Sequence, residues 1–159
     1  GRAEDIQWML DAVPNKHNGL TFCAGSFSAG EHNDCVAMAK QFADRTHFVH
    51  LRSCYIFPNG NFTEASHLGG RGHLIELCRI FEKAEQEGKC NSGRRLPMRV
   101  DHGMTFTDEP GGVFDESNHG HNAGYTLLGR MFAMGQIQGV IATVDDELGI
   151  DYKQPGFYD

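Results

Sequence analysis

The sequence predicts an α/β fold arranged around a parallel sheet. Three short runs rich in strand formers, "GLTFC", "THFVHLR" and "LPMRV", alternate with segments whose apolar residues recur at helical spacing. That alternation is the signature of strands joined by crossover helices. The 159 residues are 40% hydrophobic and 22% charged, the make-up of a chain with one core, so a single α/β segment over 1–159 is expected. Parallel strands place their C-terminal ends on one side of the sheet, where barrel and open-sheet α/β folds gather their chemistry.

A helix comes first. Residues 3–13, "AEDIQWMLDAV", put Ile6, Met9, Leu10 and Val13 on one helical face, and "PNKHNG" then breaks the pattern. "GLTFC" is the first strand, and it runs into the Gly- and Ser-containing loop "AGSFSAGEHND". Asn33 or Asp34 can cap the helix of "CVAMAKQFA", after which a second strand spans Thr46 to Leu51. A polar connection, "SCYIFPNGNFTEASHLGGRG", leads to the helix of "HLIELCRIFEKAEQEG". Its residues Leu74, Leu77, Cys78 and Phe81 share a face, and Gly88 stops it. "LPMRV" supplies the third strand. Residues 103–124 are rich in Gly and His without periodicity, which reads as a functional loop, and "YTLLGRMFAMGQIQGVIATV" closes the pattern as a helix.

Charge and composition exclude several classes of partner. A formal net charge of -7 with no Lys/Arg block argues against nucleic acid and against an anionic membrane. No apolar run approaches the roughly 20 residues that span a bilayer, and "GRAEDIQWML" lacks the basic and apolar regions of a signal peptide, so a cytoplasmic protein is expected. Cys23, Cys35, Cys54, Cys78 and Cys90 are an odd number without a CxxC pair, which predicts reduced thiols.

Each predicted strand ends on a residue able to bind a metal: Cys23 after "LTF", His50 after "HFV" and Asp101 after "PMRV". A thiolate, an imidazole and a carboxylate on one face form an incomplete site for a divalent transition metal. Their ligand atoms are expected within about 5 Å of a common point. The competing roles are a buried small residue for Cys23, a core histidine for His50 and a cap for Asp101. Arg52, two residues beyond His50, points to the same side and could grip a substrate carboxylate; a salt bridge is the alternative. His102 could act as acid or base, diverging from Asp101 and keeping a ring nitrogen clear of protein partners. Tyr125, at the start of the last helix, suits either a functional hydroxyl or packing. The pair His119 and His121 reads as solvated rather than as a second metal site.

Six segments in order, "NGLTFCAGS", "ND" followed by "MAKQF", "HFVHLRS", "NFTEASHLGG", "PMRVDHG" and "GYTLLGRMFAMGQIQGV", resemble mannonate dehydratase from about Asp5 to Val140. The resemblance implies a TIM (β/α)8 barrel, of which this chain would be the C-terminal portion, about strands six to eight with their helices. The upstream strands and a further histidine ligand would lie outside it. It implies a carbon–oxygen lyase that converts D-mannonate to 2-keto-3-deoxy-D-gluconate by β-elimination of water with Mn2+ or Fe2+. Cys23, His50 and Asp101 would be metal ligands and His102 and Tyr125 the acid/base pair, in an order the sequence leaves open. A homo-oligomer, or association with the missing N-terminal part, is expected. Two departures stand out: Met104 replaces the histidine usual after "DHG", and Ala123 a usual proline. The rival readings are a non-catalytic barrel fragment that serves binding or assembly, and a metal-dependent sugar isomerase on a similar barrel.

Overall fold

The computed structural model describes residues 1–106 and 124–151. Helix α1 (Ala3–Ala12) is followed by β1 (Leu20–Cys23), which runs directly into the five-residue α2 (Ala24–Ser28). Helix α3 (Cys35–Phe42) and a 3-10 turn (Ala43–Arg45) lead to β2 (Thr46–Leu51). A hairpin of β3 (Cys54–Ile56) and β4 (Phe62–Glu64) precedes α4 (Leu74–Gln86), and β5 (Met98–Val100) precedes α5 (Leu127–Leu148). Strands β1, β2 and β5 form a parallel sheet in that spatial order, while β3 and β4 pair antiparallel in a separate ribbon.

The strand periodicity sorts side chains between two faces. Phe22, Val49, Leu51 and Val100 are buried with Met38, Phe42, Leu77, Phe81, Ala133 and Ile137 in one core. Each such large side chain stabilises the fold by about 1.5–3 kcal/mol relative to leaving it in water. Cys23, His50 and Arg99 are only partly buried or exposed on the alternate positions, so the sheet's second face is left for polar chemistry.

Local signals set most boundaries. Asp34 caps α3, its Oδ1 accepting from the backbone N–H groups of Val36 and Ala37 at 2.9 and 3.0 Å, which satisfies two of the orphan donors of a helix start. Gly88 follows α4 with φ +66, the left-handed stop the sequence suggests.

Elsewhere the structure departs from expectation. On α1 only Ile6 and Leu10 are buried, whereas Met9 and Val13 are exposed. The stretch read as a polar connection contains the β3–β4 hairpin, turning at Gly60 with φ +84. Helix α5 continues to Leu148, and it is the one described helix long and apolar enough to cross a membrane, where the sequence showed no such run because Gly, Gln and Arg interrupt it. Its residues Ala133, Ile137 and Val144 pack into the core, the behaviour of a helix that covers a sheet. The loop expected over residues 103–124, with His119, His121 and Ala123, lies largely outside the described residues.

Candidate metal centre

Strand register brings the site together. Cys23 and His50 are cross-strand partners on β1 and β2, and Val100 pairs with Leu51. Asp101 therefore lies one residue past the paired ends, its N–H donating to the Leu51 carbonyl at 3.3 Å. Ligand atoms of Cys23, His50 and Asp101 all lie within 4.8 Å of one another, as the strand-end reading predicts. No other trio of potential ligands among the described residues is as close.

The three donors differ in surroundings. The Cys23 sulfur accepts from the Ser26 hydroxyl at 3.1 Å and remains partly exposed, while the other four thiols are buried. Burial pushes Cys35 and Cys78 up to about 12 and Cys90 to about 11, so these thiols stay protonated and inert. His50 packs edge-on against Phe48, with ring centroids 5.0 Å apart. Burial lowers its imidazole below the ordinary value against the raising pull of Asp101, which favours the neutral, ligating form. Asp101 is buried, which by itself raises its carboxyl. The Arg99 hydrogen bond, the His50 charge and the Tyr125 hydroxyl outweigh burial and hold it below its ordinary value. Tyr125 Oη donates to Asp101 Oδ1 at 3.1 Å, and Arg99 Nη2 bonds the same oxygen.

His102 lies beside this cluster rather than in it. Its Nδ1 is 3.1 Å from Glu64 Oε1 and its Nε2 is 3.8 Å from Asp101 Oδ2. Both ring nitrogens face carboxylates, so the expectation that one stays clear of protein partners is not met. The Tyr125 ring packs edge-on against the His102 ring at 4.5 Å, with the Arg130 guanidinium 5.3 Å over the centre of Tyr125. Gly124, at φ +88, permits this approach, since a Cβ there would meet His102 Cβ and Nδ1 at 2.8 Å. Tyr125 precedes the cap residue Thr126 rather than starting the helix. Met104 runs along Gly129 of α5, its carbonyl in contact with where a Cβ would stand.

Arg52 was expected on a substrate carboxylate; the carboxylate it grips is that of Glu64. Its Nε and Nη2 bind Glu64 Oε2 and Oε1 at 3.0 and 2.5 Å, with both side chains largely buried. Burial lowers the guanidinium, but the hydrogen bond and charge of Glu64 outweigh it and hold it above its ordinary value. Glu64 and Arg99 were not singled out from sequence. Arg99 carried the same signal used for Arg52, a position two residues from a predicted ligand on one strand. Glu64 had no local signal, because the hairpin register Cys54↔Glu64 places it.

A family model described as D-mannonate dehydratase (UxuA) matches residues 1–150. The chain is 38% identical to mannonate dehydratase 2 of Agrobacterium fabrum over 146 residues, 91% of this chain and 35% of that protein. It is also 38% identical to mannonate dehydratase of Saccharophagus degradans over 145 residues, 90% of this chain and again 35% of the relative. The crystal structure of mannonate dehydratase from Streptococcus suis shares the fold with a TM-score of 0.73 at 20% identity, covering 99% of this chain and 42% of that one. The chain thus spans about a third of the length of the curated relatives it matches.

Proposed function

Because the chain belongs to the mannonate dehydratase family, we propose that it forms the ligand-bearing C-terminal segment of a (β/α)8 barrel lyase. That enzyme converts D-mannonate to 2-keto-3-deoxy-D-gluconate by β-elimination of water. The observation that carries this reading is the convergence of Cys23, His50 and Asp101 to within 4.8 Å at the C-terminal ends of adjacent parallel strands, the side where such folds hold their active sites.

The donor set fits a divalent transition metal: a partly exposed thiol, an imidazole biased neutral and a carboxylate biased anionic. Cys23, His50 and Asp101 would hold Mn2+ or Fe2+, which when bound supplies Lewis acidity to the oxygens of a sugar acid. The remaining work falls to side chains of this chain. Tyr125 Oη and His102 Nε2 flank the ligand cluster, and one takes the C2 proton while the other delivers a proton to the departing 3-hydroxyl. Asp101 links the two tasks, since it touches both the ligand cluster and the Tyr125 hydroxyl. Free thiols throughout suit a reducing compartment.

The test is product analysis on protein of the relatives' full length, incubated with Mn2+ and D-mannonate. Release of a 2-keto-3-deoxy acid is expected, and His102→Asn should lower kcat by roughly 10²-fold or more while retaining metal. Interconversion of an aldose and its ketose in a parallel incubation with a hexuronate, with D-mannonate left unchanged, would establish the isomerase reading instead. Absence of any turnover by metal-loaded, folded protein would leave the chain a binding segment.

A further inference from the structure

Resting on that reading, we propose that Glu64 is the positioning residue of the acid/base machinery, holding His102 in one tautomer and one ring orientation. Glu64 comes from outside the parallel sheet. It ends β4, and the short ribbon that carries it is fastened at several points. Glu64 pairs with Cys54 across the ribbon, and the Ala65 N–H donates to the Ser53 carbonyl at 2.9 Å. Downstream, the buried His67 donates through Nε2 to the Leu51 carbonyl at 2.8 Å, because an acceptor oxygen requires the proton on that nitrogen. Gln136 of α5 bonds both Ser66 and the His67 N–H. Such fastening tethers the ribbon to the C-terminal end of β2 and to α5, next to the site.

The Glu64 carboxylate is divided between two partners. Arg52 takes both oxygens in a forked ion pair, and His102 Nδ1 approaches Oε1 at 3.1 Å. The three side chains are 14%, 10% and 18% exposed, so the charge on Glu64 is compensated by the guanidinium and is not screened by bulk water. A carboxylate held 3.1 Å from Nδ1 favours the proton on that nitrogen through its charge, which directs proton exchange to Nε2. Nε2 is also the atom turned toward the ligand cluster, 3.8 Å from Asp101 Oδ2. Gly124 closes the other side of the ring, where no Cβ could stand. Arg52 in this arrangement acts through Glu64: gripping a substrate directly would require breaking a two-bond buried pair.

The experiment compares wild type with Glu64→Ala and Glu64→Gln in protein of the relatives' full length. In Glu64→Ala, kcat should fall roughly 10- to 100-fold, with KM and bound metal little changed, because neither substrate binding nor ligation passes through Glu64. Glu64→Gln keeps a carbonyl acceptor in the same place and should recover part of that loss. Nitrogen-15 spectra of the imidazoles in metal-free protein should show His102 protonated on Nδ1 in wild type and a shift toward the Nε2 tautomer in Glu64→Ala. Unchanged kcat, a rise in KM alone, or a tautomer indifferent to Glu64 would overturn the proposal. If wild type releases no 2-keto-3-deoxy acid, the functional reading fails, while the spectra still decide the role of Glu64.

Discussion

At the scale of single residues, carboxylates organise this molecule, and their environments assign them different work. Asp101 meets cationic and hydroxyl partners that hold it anionic beside Cys23 and His50. Glu82 meets the opposite situation. Burial, with the nearby charges of Asp145 and Glu85, raises its carboxyl to about 7 from an ordinary 4.5. The folded state therefore binds more protons than the unfolded state between those two values, and stability falls as pH rises through that window. Glu82→Gln removes the charge that burial opposes. The variant should match wild type near pH 4.5 and exceed it by roughly 1–2 kcal/mol near pH 8 after allowance for solvent screening. Urea unfolding at both pH values checks this; a difference independent of pH would rule it out. The convergence of Cys23, His50 and Asp101 was legible because each closes a short apolar run, a pattern that survives in one dimension. Glu64 was not, since its place depends on pairing across a hairpin rather than on any spacing along the chain.

Among elements, the contact that matters most for the site joins the segment after β5 to the start of α5. Cβ atoms built on Gly103 and Gly129 would each collide with backbone of the opposite segment, the Gly129 carbonyl and the Met104 carbonyl respectively. The Gly103 N–H donates to the Gly124 carbonyl at 2.8 Å, which ties Tyr125 to the strand end that carries Asp101 and His102. Gly129→Ala must push these backbones apart. It should cost about 1–3 kcal/mol of stability and lower turnover by displacing Tyr125 from Asp101. Thermal unfolding and kinetics of the variant would show this, and a variant with wild-type stability would contradict the packing described. Strands β1, β2 and β5 and helices α3 and α4 were readable from sequence because apolar period and cap chemistry agree at each. The hairpin was missed although "PNG" sits at its turn, because the flanking strands are three residues long and β4 is mostly exposed. Helix α2, at five residues, is too short to display any period.

For the whole molecule, three parallel strands have two outer edges, at β1 and β5, with no further strand paired to them among the described residues. Leu127, Leu128, Met131, Phe132 and Met134 stand exposed on α5. An open sheet and an apolar helix face of this kind leave strand edges and apolar surface to be covered, and the chain spans 35% of its curated relatives. A closed barrel is an expectation carried by the family resemblance alone; the described residues show a three-stranded parallel sheet. The ends of its three strands nevertheless bring together Cys23, His50 and Asp101, the proposed ligands, so metal binding is the property to measure. The most direct measurement is a Co2+ titration of wild type and Cys23→Ser followed by thiolate-to-cobalt charge-transfer absorption, a band that requires a sulfur ligand. The four remaining thiols are buried, so the signal reports on Cys23. A band that saturates at one equivalent in wild type and is lost in Cys23→Ser is the predicted result; a band absent from wild type, or one that survives the substitution, would contradict the proposed centre.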